Sequence, residues 1–167
     1  MSESVTSQAG RWEALAREAA RPQTVASEDL LQLLTFQLDD APYALPVERV
    51  REIVRIRPIT PVPRVSVDVR GVISLRGEIV QVVDLRRRLG LEAVQPRRSS
   101  RIIVVHGGDG RMAGLLVDAV REVLSVSEAA VRAAMGESGA IEALCVRGDE
   151  FVSLLDLDRV LAVDAGE

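Results

Sequence analysis

The chain has 167 residues, of which 47% are hydrophobic and four are aromatic, and its formal net charge is −4. A chain of this size and hydrophobicity buries a real core, which excludes a disordered protein. Its polar N-terminus, the lack of a long apolar run and the single cysteine, Cys145, exclude a signal peptide, a membrane span and an internal disulfide, and favour a cytoplasmic protein.

The charge is unevenly distributed along the chain. Residues 41–101 hold 13 arginines against 6 acidic residues, a net charge of +7, and the chain contains no lysine. Nucleic-acid binding is not favoured, because the aromatic side chains that stack on bases are nearly absent and the whole chain is acidic. The arginine-rich half instead favours docking onto an acidic protein surface.

Residues 1–29 are predicted to form a polar tail that contains a helix at 11–21 and ends in a linker. Apolar residues recur there at helical spacing, at Trp12, Leu15, Ala16 and Ala19. A helix this short is marginal on its own in water. It is therefore expected to bury its apolar stripe either on the protein's own body or on a partner.

The body, residues 30–162, reads as short strands separated by turns. Strands are predicted in the first half at 33–38, 43–45, 72–75 and 79–83, and in the second half at 102–105, 112–117, 144–146 and 151–155. Asp84 and Asp156 each end a strand and are predicted to cap a helical turn, the first at 85–89 and stopped by Gly90. The pattern predicts a mostly β protein built of small antiparallel barrels.

A duplication underlies this pattern. Residues 45–56 (LPVERVREIVRI) match residues 115–126 (LLVDAVREVLSV), and residues 78–85 (EIVQVVDL) match residues 150–157 (EFVSLLDL). The repeated unit is about 65 to 70 residues long, which predicts a fold of two similar halves. The first barrel is placed at about 38–98 and the second at about 99–155, with a closing helix and a crossing N-terminal strand completing the body.

No catalytic or metal-binding constellation is apparent, and no cofactor is predicted. His106 and Cys145 stand alone at no ligand-like spacing, which argues against a zinc site. An enzyme remains an alternative only if Asp84 and Asp156 face a shared cleft rather than cap helices. The run Arg86-Arg87-Arg88 is either a solvated helix face or a partner contact.

Residues 71–90 read GVISLRGEIVQVVDLRRRLG. This stretch resembles the signature of the CheW family of chemotaxis coupling proteins, roughly G-V-I-N-L-R-G-x-x-x-P-V-V-D-L-R-x-x-[FL]-G. The resemblance extends over about residues 30–162, with further matches at 36–53 and 114–124. It implies two SH3-like five-stranded barrels in tandem around a shared hydrophobic core.

The resemblance also implies a function. CheW-like proteins are non-catalytic cytoplasmic adaptors that link the signalling tip of methyl-accepting chemoreceptors to a CheA-type histidine kinase, and they assemble with kinase domains and other CheW-like proteins in arrays. Neither nucleic-acid binding nor direct membrane insertion is implied. The receptor helix lies in a hydrophobic groove between the barrels, mainly on the first.

Four positions carry the implied receptor site: Val50, Glu52, Gly71 and Arg76. Three of them have a structural alternative, since Val50 can be core, Gly71 a backbone requirement and Arg76 a turn residue. Polar groups that set register and apolar anchors that give affinity are what a helix-in-groove site needs.

The sequence departs from the family pattern at Ser74 and Gln81, and more widely after Val126. The segment 127–140 lacks the usual proline, and Gly136 or Glu137 takes the place of an aromatic residue. Arg132 matches a family arginine and is the candidate kinase or ring contact. The alternative is therefore a specialised paralogue that binds receptor but couples weakly or not at all to the kinase ring.

Overall fold

The computed structural model describes residues 30–133 and 139–162. The described residues fall into two compact units, a larger one of residues 32–124, 131–133 and 139–162 and a smaller one of residues 30–31 and 125–130. In the smaller unit the described residues are two strand ends and the 3-10 turn Glu128–Ala130. The predicted helix at 11–21 lies outside the described residues.

Strands dominate the described residues. The eleven strands are β1 (Leu30–Leu38), β2 (Ala41–Pro46), β3 (Val50–Arg55), β4 (Val69–Leu75), β5 (Glu78–Asp84), β6 (Arg101–His106), β7 (Met112–Val117), β8 (Ala119–Ser127), β9 (Val131–Ala133), β10 (Ile141–Arg147) and β11 (Glu150–Leu155). Two short helices follow strands that are equivalent in the sequence repeat: α1 (Leu85–Arg88) follows β5, and α2 (Leu157–Leu161) follows β11. The prediction of a mostly β fold is confirmed.

The strands form two sheets of matching order. The first sheet runs β3-β6-β7-β5-β4, and the second runs β8-β1-β2-β11-β10 with the short β9 added at its end. Each sheet has one parallel pair at the equivalent place, β5 beside β7 and β11 beside β2. The duplication read from the sequence therefore describes the same sheet topology built twice.

One hairpin of each sequence half lies in the sheet of the other half. The predicted boundary near residue 98 did not anticipate this exchange. Strands β6 and β7, which the sequence assigned to the second barrel, pair with β3 and β5 of the first sheet. The hairpin β1–β2 in turn lies in the second sheet. A sequence repeat reports which segments are similar but not which copy pairs with which, so strand pairing crosses the predicted boundary.

Two apolar clusters result from the period-2 alternation of the strands. Ile102 and Val104 belong to a cluster drawn from the first sheet alone, whereas Ile103 and Val105 belong to a larger cluster to which both sheets and both helices contribute. We call the larger one the shared core. Strand β6 is thus buried on both faces, which explains its uninterrupted apolar run.

Both aspartates act as helix caps, as predicted. The Asp84 carboxylate accepts hydrogen bonds from the backbone N–H groups of Arg86 and Arg87, and that of Asp156 accepts one from Arg159. Gly90 follows α1 at φ +83°, and its N–H donates to the Arg87 carbonyl. The helix ends one residue earlier than the predicted 85–89.

Candidate partner-binding site

Strand β3 is an edge strand whose bulge separates two of the predicted site residues. Val50 pairs with Val105 and packs against the shared core, whereas Glu52 pairs with Val104, which faces the interior of the first sheet. The register shift lies between Val50 and Glu52. These two side chains therefore do not share one surface, although only two positions separate them.

The shared core ends in an apolar rim on two edge strands. On β3, Val50 is partly buried against the core and Ile53 is 40% exposed. On β8, the residues 70 positions later repeat this arrangement, with Val120 packed against the same core and Val123 52% exposed. We call these four residues the apolar rim.

Glu52 and Arg76 form an ion pair across the first sheet. Glu52 lies on edge strand β3, and Arg76 lies in the turn after edge strand β4, at φ +52° followed by Gly77 at +83°. A second link, the β-bridge between Thr60 and Val72, joins β4 to the segment that follows β3. The ion pair therefore helps to close the sheet on itself, while the guanidinium stays exposed.

The second sheet repeats this ion pair. Arg147, the last residue of β10, donates to Glu122 over 2.8 Å, and Glu122 stands 70 positions after Glu52. The hydrogen bond and charge of Arg147 hold the pKa of Glu122 below its usual value. Because both copies have it, the ion pair is a feature of the repeated unit.

Gly71 is required by the backbone. Its φ is +145°, and a Cβ built there would lie 2.1 Å from the carbonyl oxygen of Thr60. The glycine thus allows the segment after β3 to lie directly against β4. This close approach is the backbone requirement that the sequence left open as the structural alternative for Gly71.

Arg132 lies on a partly exposed face of the second sheet, with an aromatic residue that sequence analysis missed. Arg132 of β9 pairs with Leu144 of β10. Two residues further along β10, Val146 pairs with Phe151 of β11, which is 59% exposed. Paired and alternate strand residues share one side, so these four residues form one surface, the Phe151 face. Gly136 and Glu137 lie outside the described residues.

A signal for this aromatic residue was present in the repeat. The match of 78–85 to 150–157 aligns Phe151 with Ile79, which is 68% exposed. Two equivalent, exposed apolar side chains beside hairpin turns suggest contact surfaces rather than core. The alternation of apolar and polar residues could not identify these two side chains as exposed, because an apolar residue that is buried in a strand gives the same alternation.

The arginine run is neither uniformly solvated nor free for a partner. Arg86 is 7% exposed and donates to both carboxylate oxygens of Asp118, with Nη2–Oδ2 at 2.6 Å. Burial alone would raise the pKa of Asp118, but hydrogen bonds from Arg86 and from the Asp39 N–H lower it overall. Arg88 donates to the carbonyls of Val160 and Arg159 and so ties α1 to α2.

Asp84 and Asp156 do not line a shared cleft in the described part of the chain. A cleft of about 610 Å³ is lined by Asp109 and Asp158 but by neither Asp84 nor Asp156. Asp158 is bound by Arg49 at 2.8 Å. Among the residues described, no group of three or more His, Cys, Asp or Glu is placed to hold a metal ion. Cys145 is fully buried, and burial raises the pKa of its thiol.

Comparison with known proteins identifies the family. The CheW-like domain family matches residues 32–165. The chemotaxis protein CheW of Rhizobium meliloti is 33% identical over 81% of this chain and 90% of its own, and that of Helicobacter pylori is 27% identical over 83% and 86%. No helix in the described ranges is long and apolar enough to span a membrane.

A solved structure has the same fold. The scaffolding protein TtCheW from Thermoanaerobacter tengcongensis superimposes with a TM-score of 0.75 at 30% identity, covering 82% of this chain and 95% of that one. Fold, repeat and sequence match agree over nearly the whole body. The chain therefore belongs to the CheW-like family.

Proposed function

We propose that this protein is a chemotaxis coupling adaptor that joins the cytoplasmic tip of a chemoreceptor to a CheA-type histidine kinase. The observation that carries the proposal is the apolar rim, where the shared core of a CheW-like fold reaches the surface on two equivalent edge strands. The adaptor function requires binding surfaces rather than reacting groups, so no catalytic step is assigned to the protein. We place it in the cytoplasm, recruited to receptor arrays.

The receptor tip is proposed to bind as a helix in a groove, with its apolar residues on the rim. Val50 supplies the buried end of that surface. Glu52 and Arg76 keep the neighbouring hairpin closed and offer one exposed guanidinium to polar groups of the helix. Gly71 contributes indirectly, because it lets the backbone segments on either side pack together.

The kinase regulatory domain and other ring members are proposed to bind the Phe151 face. An exposed aromatic residue on the same face as an arginine matches the composition of interface hot spots. The aromatic anchor that is missing near Gly136 thus has a counterpart on the surface that carries Arg132. The alternative of a paralogue that does not couple to kinase is for this reason not favoured.

Substitution of the rim tests the receptor half of the proposal. Ile53→Ser replaces an apolar side chain that is 40% exposed by a polar one. The change is expected to weaken binding to a purified receptor tip about tenfold. The matched control is Val67→Ser, since Val67 is an exposed apolar residue outside the rim. Calorimetric titration of both full-length variants decides the matter. Equal affinities for the two variants would contradict the assignment.

Substitution of Phe151 tests the kinase half. Phe151→Ala is expected to weaken binding to a kinase regulatory domain about thirtyfold, the usual effect of losing an aromatic anchor worth about 2 kcal/mol. Receptor-tip binding by the same variant serves as the control and is expected to stay unchanged. If kinase affinity survives in Phe151→Ala and in Arg132→Ala, the kinase binds another surface.

A further inference from the structure

Two arginines face each other across neighbouring strands near the apolar rim. The register places Arg55 of β3 directly opposite Arg101 of β6. Opposed residues on adjacent antiparallel strands have Cα atoms about 5 Å apart, and like charges in such a pair are destabilising. The chain thus keeps a juxtaposition that does not favour its own folding.

Within the described residues, no carboxylate neutralises this pair. Arg55 makes no ion pair there, and Arg101 donates only to the backbone carbonyls of Arg98 and Ser100. Other arginines of the same basic stretch are paired, including Arg49 with Asp158 and Arg70 with Asp84. Arg55 and Arg101 are among several arginines of this stretch that form no ion pair in the described residues, and they are the two that the register places opposite each other.

An apolar position lies next to the pair on the same face. Ile53 is opposite Ile103, two residues along each strand from Arg55 and Arg101, so all four side chains point to the side of the shared core. Ile103 is buried, which leaves Ile53 as the exposed apolar residue beside two guanidinium groups. Two strand residues span about 6.7 Å.

We propose that Arg55 and Arg101 bind carboxylates of an acidic amphipathic helix whose apolar residue contacts Ile53. A helix advances about 6.0 Å in four residues, so an apolar residue and an acidic residue at i and i+4 match the step from Ile53 to Arg55. Planar guanidinium groups recognise carboxylates in a bidentate way, and two of them select for a locally acidic segment. The inference rests on the proposed function, in which this helix belongs to the receptor tip.

The test compares full-length wild-type protein with the double variant Arg55→Gln/Arg101→Gln, titrated against a receptor tip at low and high salt. The double variant is expected to bind about 10- to 100-fold more weakly and to lose most of the salt dependence of binding. The control is Arg111→Gln, which removes one exposed charge from the turn after β6, at the end of that strand opposite to Arg101, and is expected to bind like wild type.

Thermal melting gives a second readout. Removing opposed like charges is expected to leave the melting temperature of the double variant unchanged or slightly higher. A clear decrease in melting temperature would mean that the two arginines stabilise the fold and would overturn the inference. So would a double variant with wild-type affinity and salt dependence. Absence of binding by the wild-type protein would instead contradict the proposed function on which the inference rests.

Discussion

Replacement of Gly71 by alanine is expected to lower the free energy of unfolding by about 3 kcal/mol or more. Two independent effects combine at this position, an unfavourable φ of +145° for an L-residue and a Cβ that would lie 2.1 Å from the Thr60 carbonyl oxygen. The obstacle is backbone that is itself held by paired hydrogen bonds between Thr60 and Val72, so it has little freedom to withdraw.

Gly77 provides the matched control for this prediction. It also has a positive φ, +83°, but a Cβ there would meet no heavy atom within 4 Å. Gly77→Ala is therefore expected to cost only the conformational strain, about 1 kcal/mol. Urea denaturation of both variants separates the two effects. Equal destabilisation would show that conformation alone, and not close approach, explains the glycine.

Much of the fold could be predicted because its signals are local. The repeat, the hairpin turns and the capping roles of Asp84 and Asp156 each depend on residues close in sequence. The exchange of hairpins could not be predicted in the same way. Since the β1–β2 and β6–β7 hairpins are equivalent copies, either one satisfies the local pattern of a given half, and only the packed structure distinguishes them.

The candidate site was predicted less completely, for a similar reason. Motif positions identified Glu52 and Arg76 separately, but their ion pair depends on the closing of the first sheet. The charge pattern of Arg86-Arg87-Arg88 indicated a surface, whereas Arg86 is buried against Asp118, which lies 32 positions away. Burial of a charge is set by such distant partners, and they leave no periodic signal in the sequence.

Replacement of Arg86 by leucine is expected to destabilise the protein by about 2–3 kcal/mol, because it leaves the Asp118 carboxylate, which is 23% exposed, without its guanidinium partner. The variant also loses the hydrogen bond from Arg86 to the Glu92 carbonyl. Arg87→Leu is the control, since Arg87 is 36% exposed and lies 3.7 Å from Asp84. Its loss is expected to cost less than about 1 kcal/mol.

The pH dependence of the stability loss in Arg86→Leu shows how much of that loss is electrostatic. In the wild-type protein the pKa of Asp118 is lowered, so its stabilising contribution is present above the unfolded-state pKa of about 3.9 and is lost as the pH falls through the folded-state value. In the variant, burial without Arg86 favours the protonated acid. The stability difference between the two proteins should therefore be largest near neutral pH and should narrow as the pH falls towards roughly 4. Urea denaturation across that range measures it, and a difference that does not change with pH would assign the loss to packing of the arginine side chain rather than to its charge.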